Sequence, residues 1–219
     1  MKFTRSLIVT ALVGVGVAAQ AVPYYYVDWT SATSTSATGT ITLPDASTIT
    51  VHVTGPMAFV QTAGGTNYWN FNSSIYTSSQ VSNAPNHSSD IVAIDRASTY
   101  TVTFSRPVQD LAMSIMSLGR TNLHVSYDFN HDFTIHNSGN GHWGGGTPSL
   151  FEDVPTVLRG VEGHGVIVFD GSVSTLTWVS NPSEFWHGFT FGVAGVAIPA
   201  PGAALAFGVA LLAQRRRRC

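Results

Sequence analysis

Cleaving a glycosidic bond takes two carboxylates flanking it, about 5 to 9.5 Å apart. In this 219-residue chain the best-placed pair is Glu162 and Glu184, each close in sequence to a histidine, His164 and His187. Nothing local marks either glutamate as a catalyst. There is no Gly-x-Ser-x-Gly elbow, and the single cysteine, Cys219, is the last residue, so acyl-transfer chemistry has no nucleophile motif to start from. The residues therefore argue against an enzyme, with a polysaccharide-acting hydrolase built on that pair as the alternative. Among the eight histidines there is no His-Glu-x-x-His and no close pair, so a transition-metal site would need tertiary convergence. Histidines at strand ends, bonded to backbone, are the plainer expectation, and no cofactor is expected. Asp128, Asn130 and Asp132 alternate oxygen ligands as a calcium loop does. Phe133 then stands where that loop needs glycine and Gly139 where it needs glutamate, and polar residues at a hairpin tip account for the same pattern.

Aromatic side chains are the other candidate binding groups. Residues 64–90 carry Tyr68, Trp69, Phe71 and Tyr76 without sustained alternation, and a glycine-rich loop, Ser138 to Thr147, carries His142 and Trp143. Tyr68, Trp69, Tyr76 and Trp143 could stack on sugar rings. The competing expectation, favoured because large aromatics in loops are more often buried than displayed, is that the first group plugs the open end of the domain.

The elements that must position these residues are strands. Ile41 and Leu43, then Ile49, Val51 and Val53, alternate about the turn Pro44-Asp45-Ala46-Ser47 and predict a hairpin. Tyr100, Val102 and Phe104 alternate with Thr99, Thr101 and Thr103, which places the first set inside and the threonines outside. Leu111, Met113 and Ile115 follow Arg106-Pro107 and should pair back on that run. Leu123 to Phe129 should pair with Phe133 and Ile135 across Asn130-His131-Asp132, while Val166 to Phe169, apolar on both faces, reads as a central strand. Ser31 to Thr38 has little to bury and reads as a flexible lead. Ten to twelve such strands predict an all-β domain, an antiparallel two-sheet sandwich of jelly-roll-like form.

The two ends differ in kind from the middle. Lys2 and Arg5 precede an apolar stretch, Leu7 to Ala19, and Ala19-Gln20-Ala21 suits signal peptidase cutting before Val22, so residues 1–21 read as a signal helix and the rest as exported. At the other end Pro199-Ala200-Pro201 leads into the apolar run Gly202 to Ala213, and then Arg215, Arg216, Arg217 and Arg218. An apolar helix closed by four arginines stays in the membrane with its arginines inside. From Pro199 to Gln214 is sixteen residues, which span about 24 Å against a hydrocarbon core of roughly 30 Å, a gap that snorkelling arginines cover. Between the ends, residues 22–198 make one domain with four arginines, no lysine and all twelve acidic residues. That surplus of negative charge excludes a nucleic-acid partner, which would require a basic face.

The C-terminal pattern of proline motif, membrane helix and basic cluster (residues 199–219) resembles the PEP-CTERM sorting signal of Gram-negative bacteria, with Ala200 where glutamate is usual. The resemblance implies processing by an exosortase-type membrane protease after transient residence in the inner membrane. The product would be released to the outer surface or exopolysaccharide matrix, there to serve a structural or glycan-binding role. Tyr127-Asp128-Phe129, His142-Trp143-Gly144-Gly145, Gly163 to Phe169 and Phe185 to Thr190 are similar to segments of other PEP-CTERM ectodomains, a likeness that bears on architecture and not on chemistry.

Overall fold

A computed structural model describes residues 22–87 and 89–194. The expected signal segment and the proline motif, membrane helix and arginines of the tail lie outside the described residues. Among those described, no helix is long and apolar enough to cross a membrane. The fold is mostly antiparallel β-sheet, 59% strand against 4% helix, so the all-β expectation holds.

In chain order the strands are β1 (Tyr24–Tyr26), β2 (Asp28–Ala32), β3 (Ser36–Thr42), β4 (Thr48–Thr54) and β5 (Phe59–Gln61). After two 3-10 turns, Tyr68–Asn70 and Ser73–Tyr76, come β6 (Ile91–Ile94), β7 (Ser98–Leu118), β8 (Val125–Phe129), β9 (Thr134–Ser138), β10 (Leu150–Val154), β11 (Val157–Gly160), β12 (Gly163–Asn181) and β13 (His187–Ala194). The main hydrogen-bonded path runs β10-β11-β8-β12-β7-β13-β6-β5.

Two long strands, β7 and β12, are paired along most of their length and change their outer partners halfway. The first half of β7 pairs with β4, Val102 opposite Val53, and the second half with β13, Met113 opposite Phe191. Likewise β12 pairs with β9 through Ile167 and Ile135 and, further along, with β8 through Trp178 and Phe129. The register breaks between Phe169 and Ser172 and again between Val173 and Thr175, and bulges of that kind bend a strand pair. The halves close over one core. Trp178 of β12 meets Phe189 of β13 edge-on at 5.3 Å although those strands share no ladder. Tyr100, Val102 and Phe104 are buried while Thr99 and Thr103 are exposed, as the alternation requires.

Val166 to Phe169 are buried on both faces for a reason visible in the packing. Ile167 and Phe169 join the main core, while Val166 and Val168 lie under Tyr24 and Tyr26 of β1. Further along the same outer face, Trp69, Ile75 and Tyr76 cover Met116 and Ile91. The loop aromatics thus roof a sheet face and do not plug an open end.

Four expectations are corrected. Ser31 to Thr38 is no flexible lead: it supplies parts of β2 and β3, which pair through Ser31 and Thr38, with Ala37 buried. The runs on either side of Arg106-Pro107 do not form a hairpin but one continuous strand. Pro107 sits in a short stretch of β7, Ser105 to Pro107, that no ladder reaches, because the pairing with β4 ends at Phe104 and that with β12 resumes at Val108, and there its missing N–H costs no ladder bond. The segments around Asn130-His131-Asp132 do not pair with each other either, since both dock on β12. Trp69 and Tyr76, each 1% exposed, can touch no external ligand and leave the set of candidate glycan-binding residues.

Candidate functional site

Glu162 and Glu184, 22 positions apart, line the same cleft. Its volume is about 270 Å³, and its other walls are Ser117, Gly119, Arg120, Trp143, Phe185 and Trp186. The end of β7 and the turn after it, the turn before β12, the glycine-rich loop and the segment preceding β13 all contribute. Ser117 and Glu162, with φ of 57° and 53°, are both in the left-handed region. Side chains other than glycine reach it only under constraint, and such residues cluster at functional sites. Here the Ser117 hydroxyl donates to Glu162 Oε1, tying the two unusual positions to each other.

The carboxylates sit in unlike surroundings. Burial pushes the Glu162 carboxyl up from its ordinary value and the charge of Glu184 adds to this, while the hydrogen bond from Ser117 works against both. Glu184 Oε1 instead accepts from the Gly119 N–H at 2.8 Å and is bonded to His187 Nδ1 at 2.5 Å. Its side chain is only 4% exposed. His187, fully buried, lies 3.4 Å from the Ser180 hydroxyl through Nε2.

His164 is fully buried, and burial holds its pKa down at about 4, so the ring is neutral at pH 7. Its Nδ1 accepts the Ser117 N–H at 3.3 Å, which assigns the ring proton to Nε2. Among the described residues that atom has no hydrogen-bond partner, and it stands 3.9 Å from Glu162 Oε1. The glycine-rich loop lies directly on this ring. A Cβ at Gly141 would overlap the imidazole, and one at Gly145 would meet the Glu162 carbonyl at 2.5 Å. Only a side chain of hydrogen lets the backbone approach so closely, and the approach is what delivers Trp143 to the mouth of the cleft.

Around that mouth the aromatics form a contiguous group. Trp143 is 46% exposed and packs against Tyr68 at 5.2 Å, Trp186 at 4.9 Å and His142 at 4.6 Å. Phe185 and Phe71 are more exposed still, at 88% and 66%. Of the four aromatics singled out from sequence, Tyr68 and Trp143 belong to this surface, joined by Trp186, Phe185 and Phe71. The Trp186 and Phe185 contribution was legible only as neighbours of Glu184.

Two of the calcium candidates are engaged within the fold: Asp128 Oδ1 lies 3.4 Å from the Thr156 hydroxyl, and Asn130 Oδ1 accepts the Thr177 N–H at 2.9 Å. One group of described residues does bring three metal-ligating atoms within 4.8 Å of one another: Asp28, His87 and Asp90. None of them lines the cleft.

Comparison with protein-family models, with curated proteins and with solved structures returns no match.

Proposed function

We propose that this is an exported protein of the cell surface or exopolysaccharide matrix whose domain, a jelly-roll-like sandwich of two sheets, binds a glycan at the Trp143–Trp186 cleft. Export would begin with the signal segment 1–21. Sorting would follow from the PEP-CTERM-like tail, with Arg215 to Arg218 held inside until an exosortase-type protease cuts near Pro199 to Pro201. The observation that carries the glycan reading is the exposed Trp143, Phe185 and Phe71, with the half-buried Trp186, beside two carboxylates and Arg120. Apolar ring faces stack on the C–H faces of sugars, while the charged groups accept and donate to hydroxyls, the composition of a small-ligand site.

The test is affinity electrophoresis of the chain through gels containing soluble neutral and acidic polysaccharides. Retardation by at least one of them, lost in Trp143→Ala, supports the reading. Equal mobility in every gel refutes it.

A second reading, a polysaccharide hydrolase, draws on the raised Glu162 carboxyl sharing the cleft with Glu184. Glu162 would protonate the leaving glycosidic oxygen and Glu184 would act on the opposite side of the sugar. The enclosure of Glu184, with Oε1 already held by Gly119 and His187, favours binding over turnover. Release of reducing ends, abolished in Glu162→Gln with binding retained, would reverse that preference.

A further inference from the structure

We infer that Asp28, His87 and Asp90 form a binding site for a divalent transition cation of the zinc class, separate from the glycan cleft. The residues come from two distant parts of the chain: Asp28 opens β2, while His87 and Asp90 share the turn that ends the 62–90 segment just before β6. Their ligand atoms nevertheless lie within 4.8 Å of one another.

The site is built in advance of any ligand. Asp90 is 6% exposed, and its Oδ2 accepts the Trp29 N–H at 2.8 Å. The Asp90 carbonyl accepts the Trp69 indole N–H at 2.9 Å, and its own N–H donates to the His87 carbonyl at 2.8 Å, closing the turn that presents the imidazole. Asp28 is fixed by its ladder position opposite Thr40. The second oxygen of Asp90, on a side chain more than nine-tenths buried, accepts no hydrogen bond from any described residue and sits beside the Asp28 carboxylate. Two carboxylates brought this close repel unless a cation or a shared proton lies between them.

The donor set selects the cation. One imidazole and two carboxylates suit zinc and its neighbours, whereas calcium and magnesium prefer all-oxygen shells. Three protein ligands leave a further coordination position for water. A metal here would also clamp β2 to the segment bearing Trp69 and Tyr68, linking the roof of the sheet to its edge.

The experiment uses the full chain in detergent, stripped with chelator and titrated calorimetrically with Zn²⁺, with Ca²⁺ in a parallel run. One equivalent of Zn²⁺ should bind, raise the melting temperature, and bind far more tightly than Ca²⁺. Asp28→Asn and His87→Gln alter side chains outside the core, so their metal-free melting temperatures should match the parent. Each should lose at least about tenfold in Zn²⁺ affinity, the lower end of what even an outer-shell change costs. Unchanged affinity in both variants would assign the zinc to other histidines and overturn the site. Absence of binding, as a proton-sharing carboxylate pair would give, overturns it as well, and so does Ca²⁺ binding equal to Zn²⁺.

Discussion

Truncating Phe169 to alanine probes the core at the point where β12 begins to bend. The ring is fully buried, edge-on to Phe129 at 4.9 Å and near Phe133 at 6.3 Å, and its strand position is opposite Leu111. Removing a buried phenylalanine costs about 3 to 5 kcal/mol, the lost transfer energy plus the cavity left behind. Edge-to-face contacts of this kind account for about 0.5 to 1.5 kcal/mol of that sum. Two comparisons grade the scale. Phe104, 7% exposed with one ring neighbour at 6.3 Å, should lose less, and Phe185, 88% exposed, should lose almost nothing. Urea unfolding followed by near-UV circular dichroism is the assay, with the midpoint falling while the denaturant slope stays constant. Against a total of roughly 5 to 15 kcal/mol, Phe169→Ala should leave little stability in a domain with no disulfide. A loss below about 1 kcal/mol at unchanged slope, or equal losses at Phe169 and Phe185, would refute the placement of the core.

His164 has a folded pKa of about 4 against an ordinary 6.5. The unfolded chain therefore takes up its proton first, and stability falls as pH drops from about 6.5 to 4, by about 3 kcal/mol from this group. Glu162, raised on folding, acts in the opposite sense: its contribution is complete below the unfolded pKa and is lost as pH rises through the folded one. Stability–pH curves should flatten on the acid side in His164→Gln, and lose their decline above the ordinary glutamate range in Glu162→Gln; unchanged curves would contradict both. Gly141→Ala should push the loop off the His164 ring, cost about 1 to 3 kcal/mol by overpacking, and weaken polysaccharide binding. A parent-like melting temperature would show that the loop can move aside freely. Replacing Arg215 to Arg218 by serine should disturb membrane retention while leaving unfolding unchanged, and a shifted melting temperature would mean that the tail packs on the domain.

What the sequence revealed divides by the range of the interaction. Strict alternation identified the buried side of Tyr100, Val102 and Phe104, because side-chain period is local. It could not say which strand lies opposite, and proximity suggested a hairpin at Arg106-Pro107. The real partner of that strand is β12, some 75 residues later, and the proline is absorbed in an unpaired stretch of the bend. Phe129 and Phe133 do share a core face, their rings 5.6 Å apart, yet Asn130 exchanges hydrogen bonds with Thr177 and draws the chain onto β12. The pair Glu162 and Glu184 was visible as two glutamates near histidines. Their meeting with Ser117 was not visible, since it depends on two left-handed residues, one near the end of β7 and one in the turn before β12. Asp28, His87 and Asp90 carried no recognised motif: one local turn joins His87 to Asp90, and only tertiary pairing brings Asp28 to them.

The central claim is that the aromatic-rimmed cleft holds a glycan, and the most direct measurement is a binding isotherm for a soluble polysaccharide with parent, Trp143→Ala and Trp69→Phe. Stacking at the cleft predicts that Trp143→Ala abolishes or strongly weakens binding. The conservative change at Trp69, whose ring is buried 5.1 Å from Tyr76, should leave affinity intact. Binding that survives Trp143→Ala unchanged, or that no polysaccharide produces in the parent, would contradict the claim.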